Sequence, residues 1–598
     1  MRIRPLTLHD ALYGLALALG LGLRLYALGA APLTDAEATL ALQALDLSRG
    51  GQPLLGAQPA YILLTGLGFT LFTASAFLAR LLPALAGSLL VLLPGLLRPL
   101  LGDAPRLRWS GLVLAFGLAL DPGLLAQSRL AGGLMPALAF GLLALALFAR
   151  RRLIWAGISA GLALLSGPAL LHGLLILALS WGAYRLLQKR VQRQPQEDEA
   201  APVPLLDLPP LERPALRSGL VALAATLLFA GLLFLRVPQG LGALVATLPE
   251  YLRSWVTPSG IPALRLPAAL LIYQPLPLLL ALLAAWRGWR GLHDGGRTAR
   301  LAVGLSLWVL VGLLVTMLYP ARQVADLAWV LIPLWGLAAL ELPHYLPGRE
   351  SLPARQSTRL VAAGLAALLC ILAVVVWVNL LNIGRYQVNT ALYWVVVVGA
   401  LVLGLISTVM VAAGWSMVSA RLGLVWAAGI VLSLGMLSSM WGLVMLRPHG
   451  AQELWSAPPA VGQSEQLLET LQDLSRMNTG HDREIAIVLL DNSPSLRWAL
   501  REFRHLTSAD TLAATDAPPI VITSQAQQSP ILAQSYRGQD LVWRTYPGWQ
   551  AALPPNFIAW LAFRQAPLAT EQIILWARAD LFPGGLESLT SETQPALP

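Results

Sequence analysis

Two carboxylates stand directly after the first long apolar segment of the chain, in Pro32-Leu33-Thr34-Asp35-Ala36-Glu37-Ala38. Acids at the edge of an apolar phase have their proton affinity set by desolvation and by neighbouring charge. Asp35 and Glu37 could therefore act as a general base, or hold a metal ion and a lipid phosphate. The same residues also spell a helix start, because Thr34-x-x-Glu37 is a capping box and Asp35 falls in the first turn, where the helix dipole favours an anion. Spacing alone leaves the two readings level. Residues two apart do not share a helix face, so Asp35 belongs with Thr39, Gln43 and Asp46 on one polar stripe and not in a dyad with Glu37.

Further candidates are spread along the chain. Asp121-Pro122 and Arg129 lie at one end of the third long apolar segment. Ions at a membrane edge are functional by default, yet an acid before proline is also an ordinary helix terminator. Arg322, Gln323 and Asp326 open a later segment, with Arg322 and Asp326 at i,i+4, a spacing that suits a lipid phosphate or mutual neutralisation. His172 follows Ser166-Gly167-Pro168, has no second His at ligand spacing and reads as a packed histidine. The single cysteine, Cys370, lies in an apolar run, so neither a disulfide nor a Cys-based metal site is expected.

The elements that must position these groups are membrane spans. The 598 residues are 56% hydrophobic and only 12% charged, with mean hydropathy +0.65, whereas soluble domains carry about 25% charged residues. The net charge of +10 is scattered over many loops and forms no basic stripe interleaved with aromatics, which excludes a nucleic-acid surface. Crossing a bilayer core takes about 20 apolar residues. On that basis the fold class is a polytopic α-helical membrane protein of about thirteen spans, near 11–29, 83–101, 109–127, 134–150, 154–167, 169–187, 217–236, 264–286, 301–319, 324–342, 358–382, 391–414 and 422–446. Arg2 and Arg4 before the first span fit a signal peptide as well, but the spans that follow favour a retained helix.

With the N-terminus inside, the cytoplasmic loops collect Arg98 to Arg108, Arg150 to Arg152, Arg185 to Arg193, Arg287 to Arg300 and Arg349 to Arg359. The outer loops keep mostly single arginines, namely Arg49, Arg80, Arg129, Arg253, Arg322 and Arg385, as the positive-inside rule requires. This predicts a multi-pass protein of the plasma membrane, with external loops 30–58 and 237–263, a cytoplasmic linker 188–216 and a transmembrane domain 1–447. Residues 59–72 are too short an apolar run to span and are expected to form a re-entrant or interfacial helix on the outer face. Residues 448–598 read as a small extracytoplasmic α/β domain, with an amphipathic stretch 465–477, strands near 484–491, 519–523, 541–545 and 572–577, and a helix near 495–505. It has no Gly-rich phosphate loop, and support or partner binding is its expected role.

The order of features resembles the membrane glycosyltransferases of the GT-C class, in the branch of the protein mannosyltransferases and aminoarabinose transferases. The residues that carry the resemblance are the acidic loop, Gln58-Pro59-Ala60-Tyr61, Phe72, and Ala79-Arg80-Leu81-Leu82-Pro83-Ala84-Leu85-Ala86-Gly87. Trp498-Ala499-Leu500-Arg501-Glu502 and the run from Ile573 to Phe582 are similar to motifs of the archaeal-type flippase-activity-associated subfamily. The resemblance implies transfer of a sugar from a polyprenyl-phosphate donor to a protein, glycan or lipid acceptor at the outer face of the cell envelope, often with Mg²⁺ or Mn²⁺.

The resemblance also implies roles. Asp35 or Glu37 would be the catalytic acid of the first external loop and any cation ligand. Under a transferase reading Arg80, Arg129 and Arg322 are expected to hold the donor phosphate, and Asp121, Gln323 and Asp326 are substrate-binding candidates from their membrane-edge positions. The sequence departs from the family pattern in three places: Ala36 stands where the paired Asp belongs, Gly132-Gly133 replaces a second carboxylate, and Ser166-Gly167-Pro168 replaces a lysine. These losses favour a catalytically silent relative that binds, flips or helps assemble lipid-linked sugars, while the retained Asp35 and Glu37 favour a transferase. Neither repeated halves nor charged midplane helices are present to suggest a transporter.

Overall fold

The structure, a computed structural model, describes residues 7–101, 105–191, 213–292, 296–345, 356–386, 390–448, 450–456, 459–513, 515–525 and 532–582, without the side chains at 98–108 and 191. Arg2, Arg4, most of the 188–216 linker and the loop around Arg349 lie outside these residues.

Apolar sequence dictates the helices, and prolines and polar caps interrupt them. Helix α1 (Leu8–Leu25) leads to a short loop, then α2 (Asp35–Ser48) and α3 (Pro59–Leu71). Next come α4 (Ala76–Leu89), α5 (Leu93–Leu101), α6 (Pro105–Leu120), α7 (Pro122–Ser128), α8 (Leu134–Ala149), α9 (Leu153–Leu164), α10 (Pro168–Val191) and α11 (Arg213–Gly231). After α12 (Gln239–Ser254) follow α13 (Arg265–Tyr273), α14 (Pro275–Arg290), α15 (Arg297–Leu318) and α16 (Ala328–Glu341). Helices α17 (Gln356–Tyr386), α18 (Ala391–Gly414) and α19 (Met417–Trp441) complete the bundle.

Among the described residues nine helices are long and apolar enough to cross a membrane, and two bent pairs raise this to eleven. The bends have identifiable causes. Pro122 has no N–H for the α6 carbonyls and turns the chain by 52°, and Pro275 does the same between α13 and α14, where the axes meet at 100°. Helices α3, α8 and α9 are apolar but shorter. The protein is a multi-pass membrane protein, and α16, with Trp329 and Trp335 in its core, is its most buried span.

Loop contacts sort into two ends of the bundle. On one, Ala131 meets Glu37, Gly133 meets Gln58, Leu165 meets Ala60, Tyr251 meets His172, and Arg322 meets Ser259. On the other, Arg150 meets Leu96, Arg287 meets Glu341, and Trp426 meets Tyr345. The sheet domain sits on the first end.

That domain has a six-stranded sheet in the order β1-β5-β6-β4-β2-β3. Its strands are β1 (Ala460–Val461), β2 (Ile487–Leu489), β3 (Leu506–Ser508), β4 (Ile520–Ser524), β5 (Tyr536–Pro547) and β6 (Leu568–Arg578). β3, β2 and β4 are parallel, and the rest pair antiparallel. Helix α20 (Ser464–Thr479) packs Leu467, Leu471 and Leu474 on the sheet, as its 3.6-residue apolar period requires. The helix expected near 495–505 is shorter, α21 (Pro494–Ala499), because Leu500 already leaves helical geometry and Leu506 starts a strand. The hairpin between β5 and β6 carries α22 (Phe557–Phe563), whose Trp560 is buried in the bundle core.

Candidate functional site

Glu37 is buried and saturated. Arg80 Nε donates to its Oε1 at 2.7 Å and Arg80 Nη2 to its Oε2 at 2.8 Å, with exposures of 2% and 0% for the two residues. The Thr34 N–H, the Thr34 hydroxyl and the Ala131 N–H complete the shell at 3.0, 3.2 and 2.8 Å. The capping box anticipated from Thr34-x-x-Glu37 therefore forms. Arg80 spends its other donors on the carbonyls of Leu28, Ala31 and Pro32, and its bonds account for all the N–H groups of a guanidinium.

The arginines around it are backbone caps too. Arg129 donates to the carbonyls of Leu23, Arg24 and Tyr26, which the end of α1 leaves without partners. Arg24, inside the first span and absent from the expected site, donates to Leu118 and Ala119 O at 3.1 and 3.3 Å, carbonyls freed by the Pro122 bend. Asp121 caps α7 through the Leu124 N–H at 2.8 Å and accepts from Trp335 Nε1 at 2.9 Å. A lone arginine in an apolar span was a legible signal for Arg24.

Asp35 faces the sheet domain. Its Oδ1 accepts from Ser493 Oγ at 3.1 Å, Ser495 N at 3.0 Å and Ser495 Oγ at 2.6 Å, and its Oδ2 from Arg544 Nε at 2.7 Å. Trp543 Nε1 fixes the Ser495 hydroxyl, and Glu571 shares Arg544. The register shift between Val542 and Arg544 in β5 lies where that side chain turns toward α2. Burial pushes the Asp35 carboxyl up, but the Ser495 bonds and the bond and charge of Arg544 outweigh it and hold the group below its ordinary value. Asp35 keeps 21% of its side chain exposed. Ser493, Ser495 and Arg544 are 458 to 509 residues away in sequence, and no local pattern could have announced them.

The remaining candidates form a separate group. Arg322 donates to Ile261 O at 2.8 Å, and its Nε has no partner among the described residues. Asp326 accepts from the Gln323 N–H at 2.8 Å and does not pair with Arg322, since the short turn over Val324–Leu327 replaces the α-helix that i,i+4 pairing needs. His172 packs on Tyr319 with ring centres 4.8 Å apart and lies 3.4 Å from the Tyr251 hydroxyl.

Asp35 and Glu37 do not fit a divalent cation in this arrangement. Their oxygens are occupied by N–H, hydroxyl and guanidinium donors, and no cluster of three His, Cys, Asp or Glu able to hold a metal occurs among the described residues. Two of the departures from the family pattern are packing requirements. A Cβ on Gly133 would stand 2.0 Å from Ser166 O, and one on Gly167, at φ +102°, 2.5 Å from Ala57 O. The Gly133 N–H also donates to Gln58 Oε1 at 2.7 Å.

No family model and no curated protein sequence matches the chain. Among solved structures it is similar to ArnT from Cupriavidus metallidurans bound to undecaprenyl phosphate, with TM-score 0.49 and 14% identity over 94% of this chain and 97% of that one. It is similar also to the oligosaccharyltransferase of Archaeoglobus fulgidus in its apo form, with TM-score 0.39 and 11% identity over 86% of this chain and 69% of that one.

Proposed function

We propose that this protein is a membrane glycosyltransferase that moves a sugar from a polyprenyl-phosphate donor to an acceptor at the outer membrane face, with the N-terminus cytoplasmic and the sheet domain outside. The observation that carries the reading is Asp35, a carboxylate held ionised and partly exposed in the first loop, at the seam between bundle and sheet domain. The motif resemblance supplies the reaction class. The acceptor oxygen attacks the anomeric carbon, the bond from that carbon to the phosphate oxygen breaks, and Asp35 takes the acceptor proton. The transferase reading assigns the departing phosphate to Arg322, whose Nη1 is tied to Ile261 O and whose unpaired Nε is buried, so that role requires the side chain to turn outward. Arg80 and Arg129 are spent on carbonyls and organise the loop, with Glu37 as a positioning residue. Three of the four donors to Asp35 sit on Oδ1, so the acceptor proton goes to Oδ2, which accepts only from Arg544 Nε in a side chain that stays partly exposed.

A second reading, a silent relative that binds or helps assemble lipid-linked sugars, is favoured by the saturation of Glu37 and by the four donors already on Asp35. Turnover of labelled polyprenyl-phosphate sugars by the protein in nanodiscs, with and without Mg²⁺ or Mn²⁺, separates the two. The transferase predicts turnover lost in Asp35→Asn while donor binding and protection of the bundle are kept. Donor binding with no turnover in the unmodified protein establishes the silent relative.

A further inference from the structure

A cavity of about 370 Å³ opens beside the C-terminal ends of α2 and α3, against the sheet domain. It lies at the opposite end of α2 from Asp35, about 20 Å away by helix rise, and is independent of the site above. Two guanidiniums line it. Arg49 is exposed and makes one weak bond, from Nη2 to Arg501 O at 3.3 Å. Arg501 lies over the Trp498 ring at 4.3 Å and is tied to Ala74 O and Trp498 O. Glu502 is the only acid in the lining, and it is shared between Arg483 and Arg501, so positive charge remains in excess. Thr73 adds a hydroxyl, Thr70 donates its own to Gly66 O, and Phe69 adds an apolar wall.

The apolar side of the cavity continues outward. Leu71 and Phe72 are 67% and 66% exposed at the end of an apolar helix, immediately before Ala76, where the next membrane-length helix begins. A basic, hydroxylated recess that runs into bare apolar surface at the membrane boundary matches an anionic amphiphile. We propose that this recess binds the phosphodiester head group of an anionic phospholipid of the surrounding bilayer, with its chains lying along Leu71 and Phe72. Bound there, the lipid touches both α3 and the segment that follows α21 and couples the sheet domain to the membrane surface.

The test is native mass spectrometry of the full chain released from nanodiscs containing equal phosphatidylglycerol and phosphatidylcholine. Phosphatidylglycerol should be retained preferentially. Arg49→Gln, at an exposed position that leaves the thermal midpoint unchanged, should lower that retention about fivefold. Arg49→Lys should keep most of it, and Arg49→Gln with Thr73→Glu should abolish it. Equal retention of the two lipids, or retention indifferent to both Arg49→Gln and the double variant, overturns the proposal. So does glycerol 3-phosphate binding as tightly as the lipid, which would make the recess a site for soluble phosphates.

Discussion

At the residue scale, the first loop holds two acids with separate tasks. Glu37 and Arg80 form a buried, fully bonded pair, and removing one partner of such a pair costs about 3–5 kcal/mol because the other charge is left uncompensated. Glu37→Gln should therefore lower the thermal unfolding midpoint sharply, and Glu37→Gln with Arg80→Gln should cost less than the sum of the single changes. A Glu37→Gln protein that melts with the wild type would remove Glu37 from the scaffold and return it to the chemistry. Asp35 joins two domains. Hydrogen bonds to a charged group are worth about 1.5–3 kcal/mol, so Asp35→Asn or Arg544→Gln should speed hydrogen exchange at Ser493 to Leu496 while leaving the bundle protected. Because the Asp35 carboxyl lies below its ordinary value, its contribution is fully present above the normal carboxylate range and is lost as pH falls through the lowered value. The same exchange should therefore rise in acid for the wild type and stay flat for Asp35→Asn. The acids were legible in sequence and the cap around Glu37 was too. The partners of Asp35 were not, since they lie 458 to 509 residues away in the sheet domain.

At the element scale, helices were legible because apolar length is a strong signal, and the structure has a helix at each of the thirteen expected spans. Short elements were not: β1 and β3 have two and three residues, and α22 is a seven-residue helix within a hairpin. Neither carries enough period to read. The glycines that depart from the family pattern acquire a reason only in three dimensions. Gly133 seats the start of α8 against the end of α9, where backbone meets backbone and cannot yield. Gly133→Ala should cost about 1–3 kcal/mol, as overpacking does, read as a lower unfolding midpoint. Gly14, which has nothing within 4 Å of its would-be Cβ, should accept Ala without loss.

At the scale of the whole molecule, the bond from Asp35 to Ser495 fixes more than a loop. Residues joined by a hydrogen bond stand on the same side of a membrane, so an even number of crossings must separate α2 from the sheet domain. Among the described residues ten membrane-length helices and bent pairs follow α2, and the shorter α8 and α9 keep the number even when they behave alike. With α8 and α9 alike, a crossing by α3 would make the number odd and break the contact, which is the argument for leaving its thirteen residues on one face. In a Cys370→Ser background, single cysteines at Asp46 and Thr507 should react with a membrane-impermeant maleimide from the same side, and one at Arg287 only from the other. Labelling of Asp46 and Thr507 from opposite sides would break the parity, and with it the docking of the sheet domain on the first loop. The arginine count predicts which side that is, and does so statistically, whereas the hydrogen bond is a constraint on the pair alone, since α2 and the sheet domain must share a side whichever it is.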